Sequence, residues 1–333
     1  MSQEIKITML GARAVGKTSL LTAMYDQFEN TIGQTNLQLI PDLKSNAILQ
    51  EKLGQLKSLV EGQDEDNEFE ATGGIQADRK GVKSFIFDLG KKGGKPSIRL
   101  NFQDHKGEYL NANALISDQE KVQNLINESV IILIAIDAPA LMEAKGQYHH
   151  LINRPLQIKN ILATAFQELK EPRLVILAPI KCEKYLQNAK STQELLRRVK
   201  DEYANLLGFL SSELLLPWVV TVVTPVQTVG TVVFSHIDVI KEGGKKYPHF
   251  KFHKNHIHAK YSPKDCEQPF RYILRFLLKQ EINRINYHWG PFSFIRSWFN
   301  LDREIKEAAQ NVVKGCKTDP QDGFAILQGK QHL

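Results

Sequence analysis

The sequence predicts an α/β chain with a doubly wound, mostly parallel sheet and one antiparallel edge strand. Three observations carry that expectation. The alternating stretch "EIKITML" runs into a Gly-x-x-x-x-Gly-Lys-Thr pattern, Gly11 to Thr18, and then into the three-to-four spacing of "TSLLTAMYDQF". Continuous apolar runs ("SVIILIAID", "RLVILAPI", "LLLPWVVTVVT") then alternate with helical segments, as a parallel sheet covered on both faces requires. Between these regions, "VKSFIFDL" and "PSIRLNFQD" flank "GKKGGK", whose glycines suit a hairpin turn and an antiparallel edge.

The strand, glycine loop and helix at the start read as a phosphate-binding loop. Gly11 and Gly16 let the chain turn so that consecutive N–H groups, including those of Ala14 and Val15, surround a phosphate at the positive end of the next helix. Lys17 supplies a point charge to the terminal phosphates. Thr18 offers a hydroxyl to Mg²⁺, and Ser19 reaches the first phosphate. The chain is expected to bind a nucleoside triphosphate.

After the first helix, "PDLKSNAILQEKLGQLKSLVEG" reads as an inserted helix starting near Pro41, and "QDEDNEFEATGGIQADRKG" as an acidic, glycine-containing loop. Helices follow the strands in "PLQIKNILATAFQEL" and "TQELLRRVKDEYANLLGFL", which serve as crossovers. Residues 229–262 break the rhythm and read as an irregular β-hairpin insertion, before "CEQPFRYILRFLLKQEINRIN" restores a long amphipathic helix. The tail, 286–333, is expected to form a small helical appendage packed on the domain, because its aromatic residues need burial.

Composition narrows the classes. With 333 residues and 42% hydrophobic content, the chain can bury a sizeable core. Cys182, Cys266 and Cys316 are too few and too scattered for a disulfide framework or zinc site, which points to a reducing compartment. The first strand begins almost at once and the apolar runs are too short to span a bilayer, so a cytoplasmic location is expected. The net charge of +6, from 43 basic and 37 acidic residues, is a modest excess that argues against nucleic acid as the partner. The insertion is richer in charge, with lysines interleaved among Tyr247, Phe250, Phe252 and Tyr261 and with His249, His253, His256 and His258. Its reading is a solvated hairpin with inward aromatics and a protein partner, in preference to a metal site.

Two further motifs bear on the chemistry. Asp104 ends an apolar strand and Gly107 follows in Asp-x-x-Gly, where a carboxylate can hold Mg²⁺ and a glycine N–H can sense the γ-phosphate. Lys181-Cys182-Glu183 ends the strand "RLVILAPI". In this order the motifs resemble those of Ras-like phosphate-loop GTPases, whose corresponding strand ends in Asn/Thr-Lys-x-Asp. The resemblance covers roughly Glu4 to Ile285 and implies one GTPase domain, 1–285, with insertions at about 30–75 and 229–262.

By that resemblance, Lys181 lays its methylene stem across the base and Glu183 accepts from the paired donors of guanine, which adenine cannot present. Glu stands where Asp is usual, and Ile180 stands where that family has an Asn or Thr tied to the phosphate loop. In "TPVQTVG", Val226 would give its N–H to the guanine oxygen, with Thr224 bracing the turn. Thr72, just before the second strand, takes the place of the switch threonine on Mg²⁺, in preference to Thr31 and Thr35. Glu108 replaces the usual water-orienting Gln, and Arg13 stands where a small loop residue is common. Both are therefore catalytic candidates beside Lys17.

The inserted segment, "IKCEKY", "TPVQT" and "CEQPFRYIL" together look most like bacterial double-GTPase proteins of the translation-factor-related branch. Membership would imply a GTP/GDP-binding, Mg²⁺-dependent switch, slow alone. Its partner would be a second GTPase or a second copy, in a signalling or conflict-response system. Two other classes stay open at this point: an ATP-using phosphotransferase or motor, and a nucleotide-binding scaffold without turnover.

Overall fold

The computed structural model of the chain describes residues 3–12, 14–61, 68–70, 83–104, 116–167, 169–242, 245–286 and 303–333. Strand β1 (Gln3–Leu10) leads into helix α1 (Lys17–Ile32), followed by β2 (Leu37–Pro41), α2 (Leu43–Glu61) and the short β3 (Glu68–Glu70). The hairpin β4 (Lys83–Lys91) and β5 (Pro96–Asp104) precedes α3 (Ile116–Glu128) and β6 (Ile131–Asp137). Short helices α4 (Ala138–Met142) and α5 (His149–Ile152) then lead to α6 (Pro155–Ala165) and β7 (Arg173–Ile180). Next come α7 (Ala189–Glu202), α8 (Ala204–Leu210), β8 (Val219–Val223), β9 (Val232–Glu242) and β10 (Lys245–Lys254). The chain closes with α9 (Gln268–Asn286), α10 (Arg303–Lys314) and β11 (Ala325–Gln328).

Eight strands form one sheet in the order β11-β8-β7-β6-β1-β5-β4-β2. The β5, β1, β6, β7 and β8 strands run parallel; at one end β4 pairs antiparallel with β5 and β2 antiparallel with β4, and at the other β11 pairs antiparallel with β8. The apolar strands alternate between two cores, as the doubly wound expectation requires. Ile131, Leu133 and Ala135 of β6 join the core beneath α1 and α9, while Ile132, Ile134 and Ile136 join the core beneath α3, α6 and α7. Period two is thus hidden inside a continuous apolar run because both faces are covered. Stacked rings at Phe28 and Phe270 (4.9 Å) and an edge contact of Phe102 with Phe270 (5.3 Å) lock α1 and α9 onto the sheet.

β9 and β10 of the 229–262 insertion form a separate antiparallel sheet with β3, in the order β3-β10-β9, with a bulge between Phe250 and Phe252. Phe234, Phe250 and Phe252 turn inward against Ala140, Tyr148 and Ile152, whereas Tyr247 stays exposed. Three strands add to the expected set, one being β3, which falls in the stretch expected as an acidic loop and pairs with β10. β2 pairs with β4 through Leu39 and Leu89, and β11 pairs with β8 through Ala325 and Val223. Both are short segments that take strand form from the sheet edge they lean on. Among the described residues, no helix is long and apolar enough to cross a membrane.

Candidate nucleotide-binding site

β1 delivers the phosphate-loop residues to the C-terminal end of the sheet, beside Asp104, because Met9 and Asp104 are paired in the β1–β5 register. Gly11 and Gly16 adopt φ values of 148° and 112°. These lie in the region that favours glycine, and the surroundings are tight as well. A Cβ on Gly11 would lie 3.1 Å from the Ala135 carbonyl oxygen, and one on Gly16 would lie 2.9 Å from Ile180 Cδ1. Ala14 is also left-handed (φ 61°) and exposed, while Val15 is buried under the loop. The chain then enters α1 at Lys17, and Leu20 N–H closes the first turn on Gly16 O at 2.8 Å.

Lys17 and Thr18 converge on one carboxylate. Lys17, 8% exposed, donates to Gly11 O (3.1 Å) and Ala12 O (3.4 Å), and its Nζ lies 3.5 Å from Asp104 Oδ1. Thr18 Oγ1 donates to Asp104 Oδ2 at 2.9 Å. A hydroxyl and a carboxylate gathered at a helix N-terminus are hard oxygen donors of the kind Mg²⁺ takes with phosphate oxygens, so the residues fit that ion. Ser19 stands half-buried on the following position of α1.

On the base side, Lys181 sits in a left-handed turn (φ 58°) with its Nζ 2.5 Å from Asp137 Oδ2. Its Cε would lie 3.9 Å from a Cβ on Gly16, so its stem runs beside the phosphate loop. Ile180 therefore reaches that loop by packing, where Asn or Thr would use a hydrogen bond. The Phe252 ring of β10 lies 5.7 Å from Lys181 Nζ, and Phe234 lies 4.8 Å from Lys184 Nζ, which brings the insertion against this side of the site.

Glu183 is 5% exposed, and its Oε1 accepts from Val229 N–H at 2.9 Å and Gly230 N–H at 3.0 Å. Burial pushes its carboxyl above the usual carboxylate range, against the lowering effect of these N–H donors and of Lys181. The expected role of Val226 is corrected. Its N–H is committed to Pro179 O at 2.8 Å, and Thr224 N–H to Leu177 O at 2.9 Å, because the β7–β8 ladder continues past Val223. The backbone donors that face Glu183 come later, at Val229 and Gly230. Thr224 is buried and, among the described residues, its hydroxyl has no hydrogen-bond partner, so what it gives the turn there is its backbone N–H.

Asp137 is the residue that motif reading passed over. Its Oδ1 caps α4 by accepting from Ala140 N–H at 2.9 Å, and its Oδ2 holds Lys181. A signal existed in the sequence: Asp137 ends "IILIAID" as Asp104 ends its own apolar strand. Of the other candidates, Arg13, Thr72, Gly107 and Glu108 lie outside the described residues. Thr31 and Thr35 are excluded as metal ligands, since Thr31 stands thirteen positions beyond Thr18 on or after the same helix, about 20 Å along its axis. Their hydroxyls donate instead to Gln27 O and Ile32 O. Among the described residues, no group of three or more His, Cys, Asp or Glu side chains could hold a metal ion.

With this geometry in view, the profile of the Double-GTPase 2 family matches residues 5–214, well over half of the chain. No curated protein matches the sequence. Among solved structures, a similar one is Era in complex with MgGDPNP and nucleotides 1506–1542 of 16S ribosomal RNA, at 16% identity and a TM-score of 0.32. That match covers 68% of this chain and 52% of the Era chain, so the chain spans about half the length of that protein.

Proposed function

The chain belongs to the Double-GTPase 2 family, and from that premise we propose that it is a guanine-nucleotide switch that hydrolyses GTP with Mg²⁺. The observation that carries this reading is the sharing of the Asp104 carboxylate between Lys17 and Thr18 at the head of α1. Lys17 would move from the loop carbonyls to the terminal phosphates, where its charge offsets theirs. Thr18 and Asp104 would hold Mg²⁺, which neutralises charge developing on the phosphate oxygens. The loop N–H groups and the α1 N-terminus would orient the phosphate chain.

Base preference is assigned to the Lys181 and Glu183 side, with Lys181 fixed by Asp137 and flanked by the phosphate loop. Thr72 and Gly107 are proposed to sense the γ-phosphate, and Glu108 and Arg13 to set the hydrolysis rate. Glu108 would place negative charge beside the γ-phosphate, so the protein is expected to be slow alone. A partner, a second GTPase or a second copy, would supply the missing stabilisation, worth about 10³–10⁵ in rate on the scale of arginine fingers.

Titration of fluorescent GDP and ADP, with and without magnesium, tests the reading. Guanine nucleotide should bind far more tightly. Lys17→Ala should remove most triphosphate binding, and Thr18→Ala should weaken chiefly the magnesium-dependent part. Equal affinity for the two bases, or an unaffected Lys17→Ala protein, would refute it.

A further inference from the structure

A groove of about 840 Å³ lies on the far side of the sheet from the β4–β2 edge, between α9, α10 and β11. Five cationic side chains line it, Lys200, Arg275, Lys279, Lys314 and Lys330, and no acidic side chain does. Among the described residues, no carboxylate forms an ion pair with Lys200, Lys279, Lys314 or Lys330. The neighbouring cations Lys306 and Lys317 are by contrast paired, with Glu281 and Asp265. In a chain carrying 43 basic and 37 acidic residues, such a concentration of one sign is local rather than general.

Among the described residues, the strand beside these cations has no partner on its outer side. β11 is the last strand in its sheet and pairs on one side only, with β8. An unpaired strand edge carries a row of backbone donors and acceptors that can take another strand. Ile326 and Leu327 of this strand are half-buried and line the same groove, so apolar surface alternates with the charged groups.

We propose that the free edge of β11 and its basic groove dock an extended acidic segment of a partner protein by strand addition. The backbone edge supplies register and the cations supply preference for Glu and Asp, while the volume exceeds what a single phosphate needs. This site shares no residue with the nucleotide site and does not depend on the nucleotide reading.

The test uses the full chain and a fluorescein-labelled peptide of about twelve residues alternating Glu with Val, read by fluorescence anisotropy. Competitors are the Lys-for-Glu peptide, the same acidic peptide N-methylated at alternate residues, an RNA oligonucleotide and inorganic phosphate. The acidic peptide should bind in the micromolar range. Binding should fall at least about tenfold in the double variant Lys279→Glu, Lys314→Glu, at a half-buried and an exposed position, and in high salt. The N-methylated peptide should fail to compete. An unchanged urea unfolding midpoint of the double variant would establish that it is folded. Unchanged affinity in that variant, equal competition by the N-methylated peptide, tighter binding of RNA or phosphate, or no peptide binding below the millimolar range would each overturn the proposal.

Discussion

Asn153 grips Asp137 by both of its backbone groups: Asn153 Oδ1 accepts from Asp137 N–H at 2.7 Å, and Asn153 Nδ2 donates to Asp137 O at 3.1 Å. Both residues are buried. The strand end is thereby held so that one Asp137 oxygen caps α4 and the other binds Lys181. A buried amide thus fixes the carboxylate that fixes a lysine beside the phosphate loop.

Asp137→Ala should therefore loosen Lys181 without touching Lys17 or Thr18. A hydrogen bond to a charged group is worth about 1.5–3 kcal/mol, so guanine-nucleotide affinity should drop roughly tenfold or more, mainly through faster dissociation. Asp137→Asn, which keeps an acceptor, should recover part of the loss. Dissociation rates of fluorescent GDP measure both, and an unchanged rate in the alanine variant would remove Lys181 from nucleotide retention.

Glu183→Ala should destabilise the fold by about 2 kcal/mol or more, since it strands the Val229 and Gly230 N–H groups. Glu183→Gln should retain most stability because an acceptor remains. Burial raises the folded pKa, so the native state holds its proton more readily than the unfolded chain. The contribution of Glu183 is greatest below its ordinary value of about 4.3 and is lost as pH rises through the raised folded value. Urea titrations of wild type and Glu183→Gln across that window should converge at low pH and separate in favour of the variant as pH rises. Guanine affinity of Glu183→Gln, measured in parallel, isolates any base contact of the carboxylate.

His149 is fully buried, with Nδ1 3.1 Å from Asn153 Nδ2. Burial, with smaller effects of His150 and Arg198, pushes its pKa down to about 4. The neutral ring is then the folded form, and its contribution is present above the ordinary value of about 6.5 and lost as pH falls toward the depressed one. The slope is at most about 1.4 kcal/mol per pH unit. His149→Leu should flatten the urea stability profile between about pH 4.5 and 6.5. A profile as steep as that of wild type would assign the acid sensitivity elsewhere.

Gln268 ties α9 to the turn after α10: Nε2 donates to Gly315 O at 3.0 Å, and Oε1 accepts from Lys317 N–H at 2.9 Å. It is 1% exposed. Gln268→Leu leaves both backbone groups without their partner and should cost about 1–3 kcal/mol. Hydrogen exchange should rise in β11 and the turn before it while α1 stays protected. Uniform acceleration across the chain would mean that the C-terminal segment opens only with the whole fold.

The parallel core and the phosphate loop were legible from local pattern because their determinants are local. Gly11 and Gly16 mark a turn that only glycine adopts, and unbroken apolar runs such as "RLVILAPI" mark strands covered on both faces. β2 and β11 were not legible. Four or five residues of mixed polarity become strand only when an existing edge offers hydrogen-bond partners, and that edge is far away in the chain. Thr31 and Thr35 stood as rivals to Thr72 and were removed because the length of α1 carries the chain away from Thr18 before it reaches them. The base side depended most on tertiary structure. Val226 sits in the expected loop, yet its N–H is consumed by a ladder whose end is set by β7, and Asp137 reaches Lys181 across 44 positions of sequence. By itself, the sequence determined which segments are strands of the core, where glycines turn the chain at the head of α1, and which residue types surround that turn. Tertiary packing alone decided which backbone donors remain to face Glu183, how Lys181 is held, and where an unpaired strand edge meets a groove of cations, because each depends on partners that only folding brings together.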